Sequence, residues 1–274
     1  MTLKEKREFF ELIREQDYQL NDNQSADDVL EIAISELGNT DPYIRDELAL
    51  EVAAYMIYKD YLSEEKLKSL AKRLLSDEFL FFGLKEKKED SVFKRTFTSL
   101  LLAMLFRIPG KANIFTDDEL DYMYSEYLKY LIKEYDYRGY IENKGWAHFF
   151  AHSSDFLKYL FQQKSFTNDW LKKYFDVILK IIQNNQYVFH HNEDERFKNA
   201  FVKLLERKDI DESIIFGFLR DVINYEKTSK FPEDINSFVN VKNIIREIFF
   251  SLDDTNQDLK ELIIDLNTLL KIGE

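Results

Sequence analysis

The sequence has no cysteine, and only 3 prolines and 7 glycines among its 274 residues. Without cysteine there is no disulfide, thiolate zinc site, iron–sulfur cluster or cysteine nucleophile. Average usage would bring roughly 7% glycine and 5% proline, so turn residues are too few for a β-sandwich or barrel. Scarce glycine also removes the phosphate cradles: the chain contains no P-loop, no dinucleotide fingerprint and no G-x-S-x-G elbow. Basic charge is in deficit as well. Lys and Arg number 38 against 51 Asp and Glu, a net charge of −13, which argues against neutralising the phosphates of a nucleic acid. Long hydrophobic runs are missing too. The most apolar stretch, Phe97 to Phe106, falls well short of the about 20 residues of a membrane span and reads as a buried helix. The opening MTLKEKREFFELIREQ carries charge throughout and has no apolar core of a secretory signal; a cytoplasmic protein without a membrane segment is expected.

What is abundant is apolar surface: 45% of residues are hydrophobic and 15% aromatic, too much for a disordered chain. Helical periodicity runs nearly throughout, and strand-like alternation is nowhere sustained. After Thr167, Asn168 and Asp169, which are capping candidates, Trp170, Leu171, Tyr174, Phe175, Val177, Ile178, Ile181 and Ile182 recur at helical spacing. The same reading places helix starts near residues 3, 26, 42, 63, 91, 117, 145, 168, 193, 211, 238 and 257. Short polar connections join them at Asn39–Pro42, Lys85–Asp90, Lys111–Thr116 and Thr228–Asp234.

A longer rhythm overlies these helices. DPYIRDELALEVA from Asp41, DSVFKRTFTSLLLA from Asp90 and EDERFKNAFVKLL from Glu193 share one plan: an acid at the helix start, then an arginine (Arg45, Arg95, Arg196), then a small or apolar run. The helices placed at Gly145 and Val241 fall near the same interval of about 50 residues, with a second amphipathic helix between, as in solenoid repeats. The expected fold is all-α: a single domain over residues 1–274, forming an α–α superhelix (a HEAT/armadillo-like solenoid) of about six helix pairs. In Asp41-Pro42 the carboxylate caps free amides, and proline at the first helical position sacrifices no hydrogen bond.

All four histidines lie between His148 and His191. On a helix starting at Gly145, at about 100° per residue, His148, His152, Asp155 and Tyr159 share a stripe. It lies opposite an apolar face containing Trp146, Phe149, Phe150, Phe156 and Leu157. That placement disfavours core histidines and leaves three readings. The stripe is a solvated face or a His–Asp hydrogen-bond ladder. Alternatively, His148, His152 and Asp155 ligate a divalent metal, completed by Glu193 or Asp194; the first histidine is not followed by the Glu of HExxH proteases, so their mechanism is not supported. Or Arg138, in the turn-like EYDYRGYIENKGW, grips an anion with Arg95 and Arg196 beside His152 and Asp155, which could move a proton. Against the last, each repeat arginine could simply pair with its own repeat's acid: Asp41, Asp90 or Glu193.

DPYIRDELA, DSVFKRTFTSLLLAML and especially DYRGYIENKGWAHFFAHSSDFL with NEDERF resemble a bacterial family of unknown function, domain of unknown function 2785, from about Leu30 to about Leu205. The matching positions are Asp41, Arg45, Asp46, Arg95, Arg138, Gly139, Gly145, Trp146, His148, His152, Asp155, Glu193, Asp194 and Arg196. Ser153-Ser154 departs from the small Gly-Ala pair usual there. The resemblance implies a soluble, all-helical, HEAT-like cytoplasmic protein of low-GC Gram-positive bacteria, and brings no activity with it. Together these readings give a HEAT-like binding or scaffold module whose concave side carries a polar His/Asp/Arg groove for a protein, a peptide or a small polar ligand. The alternative is a metal-dependent hydrolase using a His-x3-His-x2-Asp site.

Overall fold

Thr2, Ser25, Ser63, Thr167 and Asp211 each stand immediately before a helix, and each side chain accepts a backbone N–H of the first turn. Such caps satisfy amides that have no partner inside the helix. In this computed structural model, which describes residues 1–85, 90–107 and 111–269, the caps open five of the twelve α-helices found among those residues. Most of the Lys85–Asp90 connection lies outside the described residues.

The helices are α1 (Leu3–Glu15), α2 (Ala26–Ser35), α3 (Leu50–Tyr58), α4 (Glu64–Leu74), α5 (Ser91–Arg107), α6 (Asp117–Lys133), α7 (Phe149–Leu160), α8 (Asn168–Ile182), α9 (Glu193–Leu205), α10 (Glu212–Val222), α11 (Glu233–Ser251) and α12 (Gln257–Leu269). A π-helix over Tyr43–Ala49 leads directly into α3. No helix among the described residues is long and apolar enough to cross a membrane. Two expected starts move. The eleventh helix begins at Glu233, after Pro232, rather than near 238. The helix expected at Gly145 begins at Phe149, because the residues before it form a small hairpin of β1 (Tyr140–Ile141) and β2 (Gly145–Trp146).

The chain divides into two compact units, each built from two stretches of sequence. The first comprises Met1–Met123 and Glu134–His152, and the second Tyr124–Lys133 and Ser153–Glu274.

In the first unit α5 is buried on nearly every side, with Val92, Phe93, Phe97, Leu101 and Leu102 almost fully covered. Its hydroxyls survive burial by bonding back to the preceding turn: Thr98 Oγ1 donates to the Lys94 carbonyl at 2.7 Å and Ser99 Oγ to that of Arg95 at 3.4 Å. The expected burial of the Phe97–Phe106 run is therefore met. At the start of the π-helix, Asp41 Oδ1 accepts from the amides of Tyr43 and Ile44, at 2.9 and 3.4 Å.

In the second unit the core is aromatic. Tyr127 meets Phe156 edge-on at 4.7 Å and Phe175 stacks on Phe218 at 4.0 Å. Tyr174 donates to the Tyr124 carbonyl at 2.8 Å. Asn240 on α11 is fully buried, accepts from the Phe189 amide at 2.7 Å, and donates to the carbonyls of Asn184 and Tyr187 at 3.3 and 2.9 Å. It secures the connection leading into α9, and nothing in its sequence context singles it out.

Candidate functional site

Just past α6, Glu134 is buried and takes both Nε and Nη2 of Arg95, at 2.6 and 3.1 Å. Arg95 is itself fully buried and spends Nη1 on the Phe82 carbonyl (3.0 Å) and Ser91 Oγ (2.9 Å). Two residues on, the buried carboxylate of Asp136 accepts from Arg138 through Nε at 2.8 Å and Nη2 at 2.5 Å. Such two-pronged charge-assisted pairs fix orientation as well as energy.

The hairpin follows. Tyr140 pairs with Trp146 and Ile141 with Gly145. Asn143 turns the chain at φ +63° and Gly145 continues at φ +79°, both in the left-handed region. Gly145 has a second reason to be glycine: a Cβ there would stand 2.8 Å from Pro42 Cβ and 3.0 Å from Arg45 Nη2. Arg45 holds the hairpin from below. Fully buried, it donates to the carbonyls of Asn39 at 2.6 Å and Lys144 at 2.8 Å, and its Nε lies 2.6 Å from Asp46 Oδ1. Its guanidinium carbon lies over the rings of Phe93 and Phe97, at 4.1 and 4.6 Å, as a cation–π contact requires. Burial pushes the Asp46 carboxyl up to about 6 despite the neighbouring guanidinium. Lys144 reaches Asp90 with Nζ 2.7 Å from both carboxylate oxygens.

His148 is not on the helix. Its backbone has φ +52°, and its carbonyl accepts the His152 amide at 3.0 Å, so it stands where α7 is entered. The helical wheel drawn from Gly145 therefore misplaces it. His148 and His152 are also buried, each 5% exposed, as are Ser153 and Ser154; the histidine part of the stripe is not a solvated face, whereas Asp155 and Tyr159 are partly exposed. Instead the rings form a line. Tyr140 meets Trp146 edge-on at 5.0 Å, Trp146 stacks on His148 at 4.7 Å, His148 meets His152 at 5.5 Å, and His152 meets Phe97 edge-on at 5.1 Å. Tyr140 and Trp146 keep 51% and 37% of their surface exposed, so the line runs from solvent to core.

The remaining expected site residues belong to the second unit. Asp155 forms an ion pair with Arg196, and burial nevertheless pushes its carboxyl upward. Glu193 is buried, accepts the His191 amide at 2.7 Å, and is likewise pushed up by burial. Asp194 accepts the Glu195 amide at 3.0 Å. His190 Nδ1 lies 2.6 Å from the Val188 carbonyl, so that nitrogen carries its proton.

The repeat arginines do not choose the acids expected of them. Arg45 takes Asp46 rather than Asp41, Arg95 takes Glu134 rather than Asp90, and Arg196 takes Asp155 rather than Glu193. Among the described residues, neither unit gathers three His, Asp or Glu side chains as a metal site would. Sequence reasoning misses Glu134, Asp136, Lys144 and Tyr140. The one signal is a pair of acids two and four residues before Arg138.

No curated protein and no solved structure matches the chain significantly. The model of the family described as protein of unknown function (DUF2785) matches residues 80–250, a stretch that carries Arg95, Glu134, the hairpin, both helix-entry histidines, Asp155 and Arg196; the chain belongs to that family.

Proposed function

We propose that the chain is a HEAT-like helical-repeat module that works by binding, and that its first unit presents the Tyr140–Trp146 hairpin to a partner protein. The carrying observation is the line of rings ending in half-exposed Tyr140 and Trp146. These two residue types anchor many protein interfaces, and here they sit on a turn that Arg45 and Lys144 hold in place. An anchor already ordered before binding loses little freedom when the partner arrives.

Two further features support the reading. Arg45, Arg95, Arg138 and Arg196 each engage a carboxylate of this same chain, as structural clamps do. Contacts also recur at similar sequence separations within each unit. Examples are Tyr58 to Met104 at 46, Lys68 to Glu119 at 51, Tyr174 to Tyr124 at 50, and Asn240 to Phe189 at 51. Stacked repeats, where each touches only its neighbours, bring together residues about one repeat apart in this way.

The test is chemical crosslinking and affinity purification with the wild type, Trp146→Ala and Tyr140→Ala, followed by titration of the purified partner. One protein retained by the wild type and weakened at least tenfold by both variants, with unchanged circular dichroism and melting, supports the reading. A partner held equally well by both variants, or none that saturates in titration, overturns it.

A further inference from the structure

A cavity of about 520 Å³ lies in the first unit, along the face of the π-helix and α3; it meets the hairpin's surroundings only at Asp46, whose Oδ2 would stand 3.4 Å from a Cβ on Gly145. Its wall is one helical stripe: Asp46, Glu47, Leu50, Glu51, Ala54 and Tyr55, ending at Tyr58. Charge is sorted along the stripe itself but not across the cavity, where Arg14 stands near Glu51. Three carboxylates stand at the Asp46 end: Asp46 is already paired with Arg45, Arg14 of α1 lies across from them, and Glu47 is the exposed one. The Tyr58 end holds Met104 and Arg107 of α5 and no acid. Tyr58 Oη donates to Met104 Sδ at 2.8 Å, and Arg107 Nη1 lies 4.0 Å from that sulfur, so the exposed guanidinium is held at that end. Between the ends the wall is apolar at Leu50 and Ala54. Tyr55 is stacked flat on Tyr18, centroids 3.6 Å apart and planes 3° apart, which makes a stiff floor.

The acidic end is carried by the π-helix. Long π-helical stretches are rare, and π-bulges concentrate at functional sites. Within it Arg45 is fully buried, while its neighbours Asp46 and Glu47 line the cavity. From Asp46 to Tyr58 the stripe covers roughly 15–18 Å at about 1.5 Å per residue, the span of about five extended residues at about 3.3–3.6 Å each.

We propose that this cavity binds a short extended peptide, with a basic amino-terminal end against Asp46, Glu47 and Glu51 and a free carboxylate against Arg107 and Tyr58. The proposal rests on the reading of the chain as a binding module, and it names a second site with its ligand class. Length, polarity and an apolar middle all come from the lining. A compact metabolite would span one end only, and a polycation would meet Arg107.

Isothermal titration calorimetry on the full chain tests it, with the pentapeptide KALAE carrying free termini, its reversed sequence EALAK, and an amino-acetylated, carboxy-amidated KALAE. The expectation is saturable binding of KALAE, at least tenfold weaker binding of both controls, and at least tenfold weakening by Glu47→Gln and by Arg107→Gln. Both of these side chains are exposed, so the variants should melt as the wild type does. Equal affinity for KALAE and EALAK, no binding at millimolar peptide, or indifference to both substitutions overturns the proposal. Loss of peptide binding beside a Trp146-dependent partner would sink this site alone. Peptide binding without any such partner would sink the hairpin reading instead.

Discussion

The Arg45 guanidinium donates to the backbone carbonyl of Lys144, 99 residues further along the chain, at 2.8 Å. One buried cation thus sets the height of a hairpin whose own pairing is only two residues on each strand. An isolated hairpin of that size is not stable in water. Arg45, together with Lys144 on Asp90, supplies what the ladder lacks.

Gly145→Ala should therefore destabilise the first unit by about 2–4 kcal/mol, combining positive-φ strain with overpacking against Pro42. Gly217 is the internal control: it lies inside α10, and a Cβ added there would meet nothing within 4 Å. Gly217→Ala should stabilise by about 0.5–1 kcal/mol. Urea denaturation of both variants reads the contrast, and a harmless Gly145→Ala would refute the close approach.

The two ion pairs differ in burial, and their energies should differ with it. Arg95 and Glu134 are both fully buried, whereas the side chains of Arg196 and Asp155 are 41% and 29% exposed. Arg95→Met alone strands a buried carboxylate and should cost about 3–5 kcal/mol, most of it recovered in the double variant with Glu134→Leu. Arg196→Ala should cost under about 1 kcal/mol, less at high salt. A double-mutant cycle decides it; a double variant as unstable as the single would show that the pair is not the origin of the loss.

Stability should fall between about pH 4 and about pH 7. Folded, Asp46 titrates at about 6 against 3.8 for the free side chain, so the folded state holds this proton more tightly than the unfolded state. The resulting stabilisation is complete below about pH 4 and is lost as pH rises through about 6, amounting to at most about 2–3 kcal/mol. Asp155 and Glu193 are shifted in the same direction by burial. Asp46→Asn should flatten the Asp46 share of the slope while leaving theirs. Unfolding free energies at about pH 5 and about pH 7.5 give the answer; an unchanged slope in the variant counts against a raised Asp46.

His152→Phe tests the line of rings. An aromatic replacement keeps an edge toward Phe97, so stability should change by less than about 1.5 kcal/mol, while His152→Ala should cost about 2–4 kcal/mol as a buried large-to-small change. Thermal melts of the pair suffice, and equal losses would mean that the imidazole matters for its nitrogens rather than its shape.

Helix by helix, the sequence is an accurate guide wherever a cap meets a period. Thr167 before Trp170 and Ser63 before Lys66 mark starts that the structure keeps. It misleads at GYIENKGWAH, where strands of two residues are too short to show alternation, and where the positive φ of His148 cannot be read from an apolar pattern. A wheel drawn through a hairpin then puts buried histidines on a solvent face. The partners of the arginines are illegible for a different reason: Glu134 reaches Arg95 across 39 residues and Asp155 reaches Arg196 across 41, and a single sequence holds no record of which distant acid arrives.

The first unit closes only with residues 134–152, and this imposes an order on synthesis. Chains emerge at about 5–20 residues per second, so Arg95 leaves the ribosome about 2–8 seconds before Glu134, and Arg45 waits longer still for Lys144. Through that interval two cations destined for the interior lack these acceptors, and the amino-terminal helices are a nascent intermediate rather than a finished body. A ribosomal pause near position 123 would therefore hold that intermediate exposed to proteases and chaperones, whereas one past position 152 would come after every residue of the first unit had been made.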